Sequence, residues 1–428
     1  MRSRGRQRAP HLMGPAAPSR RATVDVESAG NTPILRQYRE VKAEHPDELV
    51  MVRLGDFFEL FGTDAETAAP VLGVTLTGRS FGSAGRVPMC GVPHQALTQH
   101  LRRLLDAGFR VALWDQVGDA VAGRLVERRV TRVLSAGTAV DELLLEPTAV
   151  MRCAAVARLG DVIGIAALDA STGDCELVEL AGAAPARVDD ELRRLDVAEL
   201  VVAEDAEALA GTTLMVPRAV LPAALFAPSH SDTRVLAAAG ASSLVALGLE
   251  DVPASRIAAG ALLAYCERSR LQLSAELLRL HVRRAGTSMV LDEHTRRNLE
   301  LVRPTGSGQS LLQLLDRTRT AMGARLLRAW VQAPLLKAGD INERATAVET
   351  LAADAEHRDA LRAALRGIRD LDRLVARCVQ ATATPRDLGA IRDASLALPH
   401  VQAAAAGDAS SPLLRSCAAR CVAPAGVT

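Results

Sequence analysis

Short apolar runs and turn residues alternate along the first third of the chain. Residues 49–54 read as a strand, Gly55-Asp56 as a tight turn or bulge, and residues 57–61 as the return strand. Ahead of them, Thr32-Pro33 opens a helix, with Thr as N-cap and Pro at the first helical position. Ile34, Leu35, Tyr38 and Val41 give that helix its apolar stripe. Further helices are predicted over 64–72 and about 94–107, and a strand over 109–114. The run GRSFGSAGRVPMCGVP, residues 78–93, holds four Gly and two Pro and reads as a loop. This small α/β unit ends near Glu146-Pro147.

A second α/β unit follows. Apolar runs at 153–159, 162–168 and 175–180, a helix near 186–196 and a buried strand at 200–202 give the order β, β, β, α, β. From about residue 233 the helix period dominates, with Leu262, Leu263 and Cys266, then Leu311, Leu314 and Leu315, on apolar faces. RPTGSGQS, residues 303–310, interrupts as a loop, and residues 401–428 are Ala-rich and weakly patterned. The expected fold class is α/β plus all-α. Its expected divisions are a basic leader (1–31), two α/β domains (32–147 and 148–232) and a helical domain (233–428).

Composition narrows the chemistry. Apolar residues make up 49% of 428 positions, enough for sizeable cores, and the formal net charge is +1. The chain is no polycation, so contact with nucleic acid has to come from local patches. Lys occurs only at 42 and 337, and Arg carries nearly all the cationic charge. Arg suits bidentate phosphate contacts, although Arg with Ala enrichment equally reflects a GC-rich genome. The leader holds six Arg before Asp25 and lacks the apolar core of a signal peptide. Seven scattered Cys fit a reducing cytoplasm better than a disulfide framework.

Several catalytic classes find no motif. Neither Lys stands in a Gly-Lys-Ser/Thr sequence, so the phosphate-cradling P-loop is missing. There is no HExxH and no GxSxG, and His94 and His100 are off the one-turn spacing of a metal pair. The second domain could house a metal-dependent nuclease around Asp169, Asp174 and Glu191. Those acids fall at turns and on a helix that also carries Arg193 and Arg194, so solvated charge is the better reading.

The stretch DFFELF, 56–61, is unusual: three of the chain's six Phe fall within five positions, around a carboxylate. Strand alternation puts Phe58 and Leu60 on one face and Phe57 and Glu59 on the other. One reading makes Phe57 a core residue of the second face. It leaves Glu59 buried and in need of a partner. The other reading exposes both: an apolar ring wedges between base pairs, and the carboxyl hydrogen-bonds a base edge.

Residues 32–145 closely resemble the mismatch-recognition domain of bacterial MutS proteins. The resemblance lies in TPILRQYREVKAEHPDELVMVRLGDFFELFGTDAETAAPVLGVTLTGR, VPMCGVPHQAL and WDQVGD. VLDEHTRRNLEL and LLDRTRTAMGARLLRAWVQAPL are similar to the family's helical core (lever) domain. ALDASTGDCEL and ELVVAED match its RNase H-like, non-nuclease connector more weakly. The resemblance covers about 32–400 and is not expected beyond about Asp408.

It implies binding of mismatched or unpaired bases in duplex DNA, with Phe57 as the wedge of the family's Phe-x-Glu motif and Glu59 as its Glu. Phe58 stands where Tyr is common. Arg79, Arg102, Arg103 and Arg110 are candidate contacts to the DNA backbone. Family members continue into a clamp and a P-loop ATPase, and they dimerise and recruit a MutL-type partner. The resemblance therefore implies ATP and Mg for the full-length family and no cofactor or enzyme activity in this chain, a truncated portion whose mismatch reading remains. Leu311, Leu314 and Trp330 are then expected to be left open. A metal-dependent nuclease or a non-sensing scaffold are the alternatives.

Overall fold

A computed structural model describes residues 32–80, 86–116, 128–140, 144, 146–182, 184–205, 211–284, 286–407 and 411–422. The basic leader, 1–31, lies outside them.

The first unit runs α1 (Pro33–Glu44), β1 (Leu49–Leu54), β2 (Phe57–Phe61), α2 (Gly62–Leu72), β3 (Thr77–Ser80), β4 (Arg86–Pro93), α3 (Leu97–Asp106), β5 (Val111–Gln116) and β6 (Arg128–Leu134). Its strands form one sheet in the order β3-β4-β2-β1-β5-β6. Phe58, Leu60, Met51 and Leu113 pack on one face with Leu72 of α2 and Leu104 of α3. Phe61, Val52, Val87 and Trp114 pack on the other with Leu35 and Tyr38 of α1.

A buried carboxylate ties α1 and α2 to the sheet. Asp64 accepts from the Tyr38 hydroxyl at 2.8 Å and the Val50 amide at 2.9 Å, and pairs with Lys42 at 2.9 Å. A buried charge is tolerated when partners surround it in this way.

Two expectations change here. The glycine-rich run is not all loop, since its ends form β3 and β4, and β4 pairs with both β2 and β3. Pairing on both sides overrides the turn propensity of Gly and Pro. The middle of that run, 81–85, lies outside the described residues. The arginine-rich strand β6, not predicted, extends the sheet beyond β5.

The second unit comprises β7 (Arg152–Leu159), β8 (Val162–Asp169), β9 (Asp174–Ala181), α4 (Pro185–Arg194), β10 (Val197–Ala203), β11 (Arg218–Leu221), α5 (Pro228–Ala238), α6 (Pro253–Arg268) and β12 (Arg279–Arg283). Its sheet order is β11-β10-β7-β8-β9-β12. Counted from β7, five strands lie in the order 3-2-1-4-5, with β10 and β11 parallel to β7 and β8 antiparallel to it. This is the RNase H-like arrangement that the resemblance implies.

Helix α4 covers one face through Val188 and Leu192, and α6 covers the other through Ala258, Leu262 and Tyr265. The contact is close: a Cβ on Gly164 would lie 2.0 Å from the Ala254 carbonyl carbon. Helices α5 and α6 therefore belong to this layer, beyond residue 232. Helical periodicity alone does not say which sheet a helix covers.

Among the described residues eight more α-helices follow: α7 (Glu293–Asn298), α8 (Leu311–Leu315), α9 (Ala321–Gln332), α10 (Ala338–Ala353), α11 (Ala355–Leu365), α12 (Leu371–Val379), α13 (Pro385–Ala406) and α14 (Pro412–Arg420). Leu311, Leu314 and Trp330 are 40%, 58% and 38% exposed. Arg373, almost fully buried, donates to the Glu146 and Ala149 carbonyls at 3.0 and 2.7 Å and to the Ser171 hydroxyl at 3.2 Å, which fastens α12 to both sheet units.

The joint between the two sheets is polar and buried. Glu199 on β10 accepts from Ser135, from the Gly137 amide at 3.3 Å and from the Tyr265 hydroxyl at 2.7 Å. Burial raises its carboxyl above the ordinary value, and those hydrogen bonds only partly offset the effect. Arg110 pairs with Glu48 and lies over the Tyr265 ring at 5.6 Å.

These contacts make two predictions. A carboxyl raised in the folded state contributes stability below its unfolded value of about 4.3, and that stability is lost as pH rises through the native value. Urea melts of Glu199→Gln and the parent from acid to neutral pH should show the variant gaining on the parent as pH rises. A constant difference would contradict the buried, proton-binding state. Arg110→Ala leaves Glu48 only its pairing with His45 at 3.6 Å, and should cost about 1–3 kcal/mol in the same assay. Parent-like stability would mean that Arg110 is not part of the joint.

Candidate nucleic-acid interface

The hairpin of β1 and β2 is closed by two residues. Leu54 pairs with Phe57, and Gly55 takes the left-handed conformation, φ 63°, that such a turn requires. The Asp56 carbonyl accepts the His94 amide at 2.7 Å, which anchors the turn to the end of β4.

This register fixes the fate of each Phe. Phe58 is 1% exposed and stacks on His94, with ring centroids 5.8 Å apart. Phe61 is also 1% exposed and meets Tyr38 edge-on at 5.4 Å. Phe57 shares the α1 face with Phe61 but stands at the far end of the strand, beyond the packing of α1, and is 47% exposed.

Phe57 belongs to a row across the sheet. Pro93 flanks it on β4 and Leu54 on β1. The parallel register of Val52 with Trp114 carries the row on to Gln116, which pairs with Arg128. Arg128 thus lies at the same end and on the same face as Phe57. Sequence reasoning missed it because β6 was not read as a strand. The run RRVTRVL, 128–134, has no strict two-residue alternation, and only Val130, Val133 and Leu134 in it are apolar.

Glu59 lies one step inward on the same face, opposite Gly91 of β4. A Cβ at residue 91 would come within 3.3 Å of Glu59 Cγ, so the glycine gives the Glu side chain room over β4. On the far side of β4, Arg79 Nη1 donates to Glu59 Oε2 at 2.7 Å. The Glu59 side chain is only 15% exposed, and the Arg79 side chain 46%. The carboxylate expected in the open is therefore half covered by a guanidinium.

The four candidate arginines separate. Arg79 joins the Phe57–Glu59 group. Arg102 is exposed and pairs with Glu146 at 2.9 Å. Arg103 donates to the Leu72 carbonyl at 2.8 Å, closing the end of α2. Arg110 is held by Glu48 and Tyr265 in the joint between the sheets. Arg103, though exposed, and the more buried Arg110 are thus both tied to acceptors within the fold.

The acids weighed for a nuclease do not converge. Asp169 is buried and accepts from the Ser171 amide and hydroxyl at 2.9 and 2.6 Å. Asp174 pairs with His281 at 3.0 Å, and Glu191 with Arg194 at 2.7 Å and with Arg283. Among the described residues no group of three His, Cys, Asp or Glu is placed to hold a metal ion. No described helix is long and apolar enough to cross a membrane.

Comparison with known proteins places these units. Family models match in order: MutS domain I over residues 32–143, MutS domain II over 151–279 and MutS domain III over 294–421. The domain II match runs past 232, in keeping with the packing of α5 and α6, and the domain III match runs past 408. Proteins named DNA mismatch repair protein MutS are similar over most of the chain. The one from Anaeromyxobacter sp. (strain Fw109-5) is 41% identical over 90% of this chain and 44% of its own length. Those from Myxococcus xanthus (strain DK1622) and Symbiobacterium thermophilum are 39% and 37% identical, over 91% and 89% of this chain and 44% and 45% of their own lengths. The chain thus spans less than half the length of these curated relatives. With all three domains matched in order, the chain belongs to the MutS family.

Proposed function

We propose that this chain recognises mispaired or unpaired bases in duplex DNA, as part of DNA mismatch repair, by inserting Phe57 between base pairs. The observation that carries the reading is the 47% exposed Phe57 ring on a hairpin whose neighbouring Phe58 and Phe61 are buried. The ring is presented by a scaffold that has no packing use for it.

The energetics follow from DNA itself. Opening a base step for an apolar wedge costs a few kcal/mol in paired duplex and less at a defect, where stacking is already weakened. The difference detects a mispair without reading sequence. Phe57 stacks on the displaced base, and Glu59 hydrogen-bonds its edge. The Glu59 charge faces phosphates, which disfavours close approach to intact duplex. Arg128, half-exposed at the Phe57 end of this face, supplies cationic charge for the backbone, whereas Arg102 lies on α3 across the sheet, paired with Glu146.

No catalytic step is assigned to this chain, and Asp169, Asp174 and Glu191 serve the fold. ATP with Mg, dimerisation and recruitment of a MutL-type partner belong, on this reading, to the length of the relatives that the chain does not match. The setting is cytoplasmic.

Substitutions in β2 test the reading. Phe57→Ala should abolish the preference for mismatched over paired duplex while the melting curve stays near the parent's. Phe58→Ala should instead cost ~3–5 kcal/mol of stability by opening a cavity. Glu59→Gln should tighten binding to paired DNA and shrink the mismatch preference without removing it. Labelled duplexes titrated at one low salt concentration, beside melts of each variant, give all three results. If Phe57→Ala melts early and Phe58→Ala does not, the faces are reversed and the wedge fails.

A further inference from the structure

Glu59 does not act from an open surface. Its Oε2 accepts from Arg79 at 2.7 Å, and the two side chains come from strands that are not neighbours. Strand β4 lies between β3, which carries Arg79, and β2, which carries Glu59. The pair closes over β4, where Gly91 leaves Glu59 its path. All three residues share the face of Phe57: Glu59 pairs with Gly91, Arg79 with Val87, and residues 87, 89 and 91 alternate onto one side.

We infer that Arg79 is a positioning residue for Glu59, and that mismatch discrimination depends on their ion pair rather than on Glu59 alone. The inference rests on the proposed role of the Phe57 face. With Oε2 held by the guanidinium, Oε1 is the oxygen turned to a base edge. The guanidinium also offsets the carboxylate's charge where phosphates gather and fixes its orientation as a hydrogen-bond acceptor. Without Arg79 the carboxylate gains rotamer freedom and faces the phosphates uncompensated. Mismatched DNA then loses the base-edge bond, which paired DNA never makes. Both duplexes lose the same long-range attraction.

The role differs measurably from a plain phosphate contact. A phosphate contact contributes equally to mismatched and paired duplex. A residue that works through Glu59 changes their ratio, and only while Glu59 is present.

The experiment is a double-mutant cycle on the full chain. Kd is measured for one duplex carrying a single mismatch and for its fully paired counterpart, with the parent, Arg79→Ala, Glu59→Ala, the double variant and Arg79→Lys. For a half-exposed pair, Arg79→Ala should lower the mismatch-to-paired affinity ratio about two- to fivefold. In the Glu59→Ala background the same change should leave the ratio where it was. Arg79→Lys, which keeps the charge, should recover at least half of the loss.

Equal weakening of both duplexes with an unchanged ratio would reduce Arg79 to a phosphate contact and overturn the inference. An equal fall of the ratio with and without Glu59, or no recovery in Arg79→Lys, would overturn it as well. A parent chain with no mismatch preference, or a Phe57→Ala variant that keeps one, defeats the reading of the site and the Arg79 role with it. A parent that discriminates while Arg79→Ala keeps the full ratio defeats the Arg79 role alone.

Discussion

The pairing of Leu54 with Phe57 across a two-residue turn decides which Phe is structural and which is presented. Side chains alternate strictly along a strand, so a slip of one residue would turn Phe57 and Glu59 into the core beneath α2 and α3 and carry Phe58 and Leu60 to the face of α1. Gly55 makes the register affordable by adopting φ 63° without strain. The His94 amide locks it from outside by donating to the Asp56 carbonyl. From this one constraint follow the Phe58 stack on His94, the burial of Leu60 and the open Phe57 ring.

A wedge also needs a stiff mount, since a ring that yields cannot unstack bases. The stiffness comes from buried polar contacts on either side of the sheet. Asp64 draws α1, α2 and β1 together through Tyr38, Lys42 and the Val50 amide. At the other side, Glu199 and Arg110 join the first sheet to the second. Arg373 then ties α12 to the segment at 146–149 and to Ser171, so the helical region grips both α/β units. Removing one partner from any of these sites leaves a desolvated charge or dipole, which is why polar networks of this kind hold geometry.

Much of this was legible in the chain, for reasons that differ by element. The hairpin was readable because its alternation and its Gly55-Asp56 turn agree. The strands β7, β8 and β9 were readable as apolar runs of strand length. The ends of the 78–93 run were not, because Pro88, Gly91 and Pro93 advertise a turn, while pairing on both sides of β4 makes a strand of them. Strand β6 hid behind Arg128, Arg129 and Arg132. The layer formed by α5 and α6 hid because periodicity reveals an apolar face without naming what covers it. At the site, parity gave Phe57 its exposure. The cover of Glu59 by Arg79 was out of reach, since the two are 20 residues apart and meet across an intervening strand.

The central claim is that the Phe57 ring itself enters the defect. The chain has six Phe, so incorporation of 4-fluorophenylalanine gives a small set of fluorine resonances. The one lost in Phe57→Leu belongs to Phe57, and the buried Phe58 and Phe61 serve as internal references. Addition of a duplex with a single mismatch should shift the Phe57 resonance and leave Phe58 and Phe61 in place, and the paired duplex should shift it far less. A Phe57 resonance that stays put at saturating mismatched duplex, or moves equally with paired DNA, would contradict the wedge.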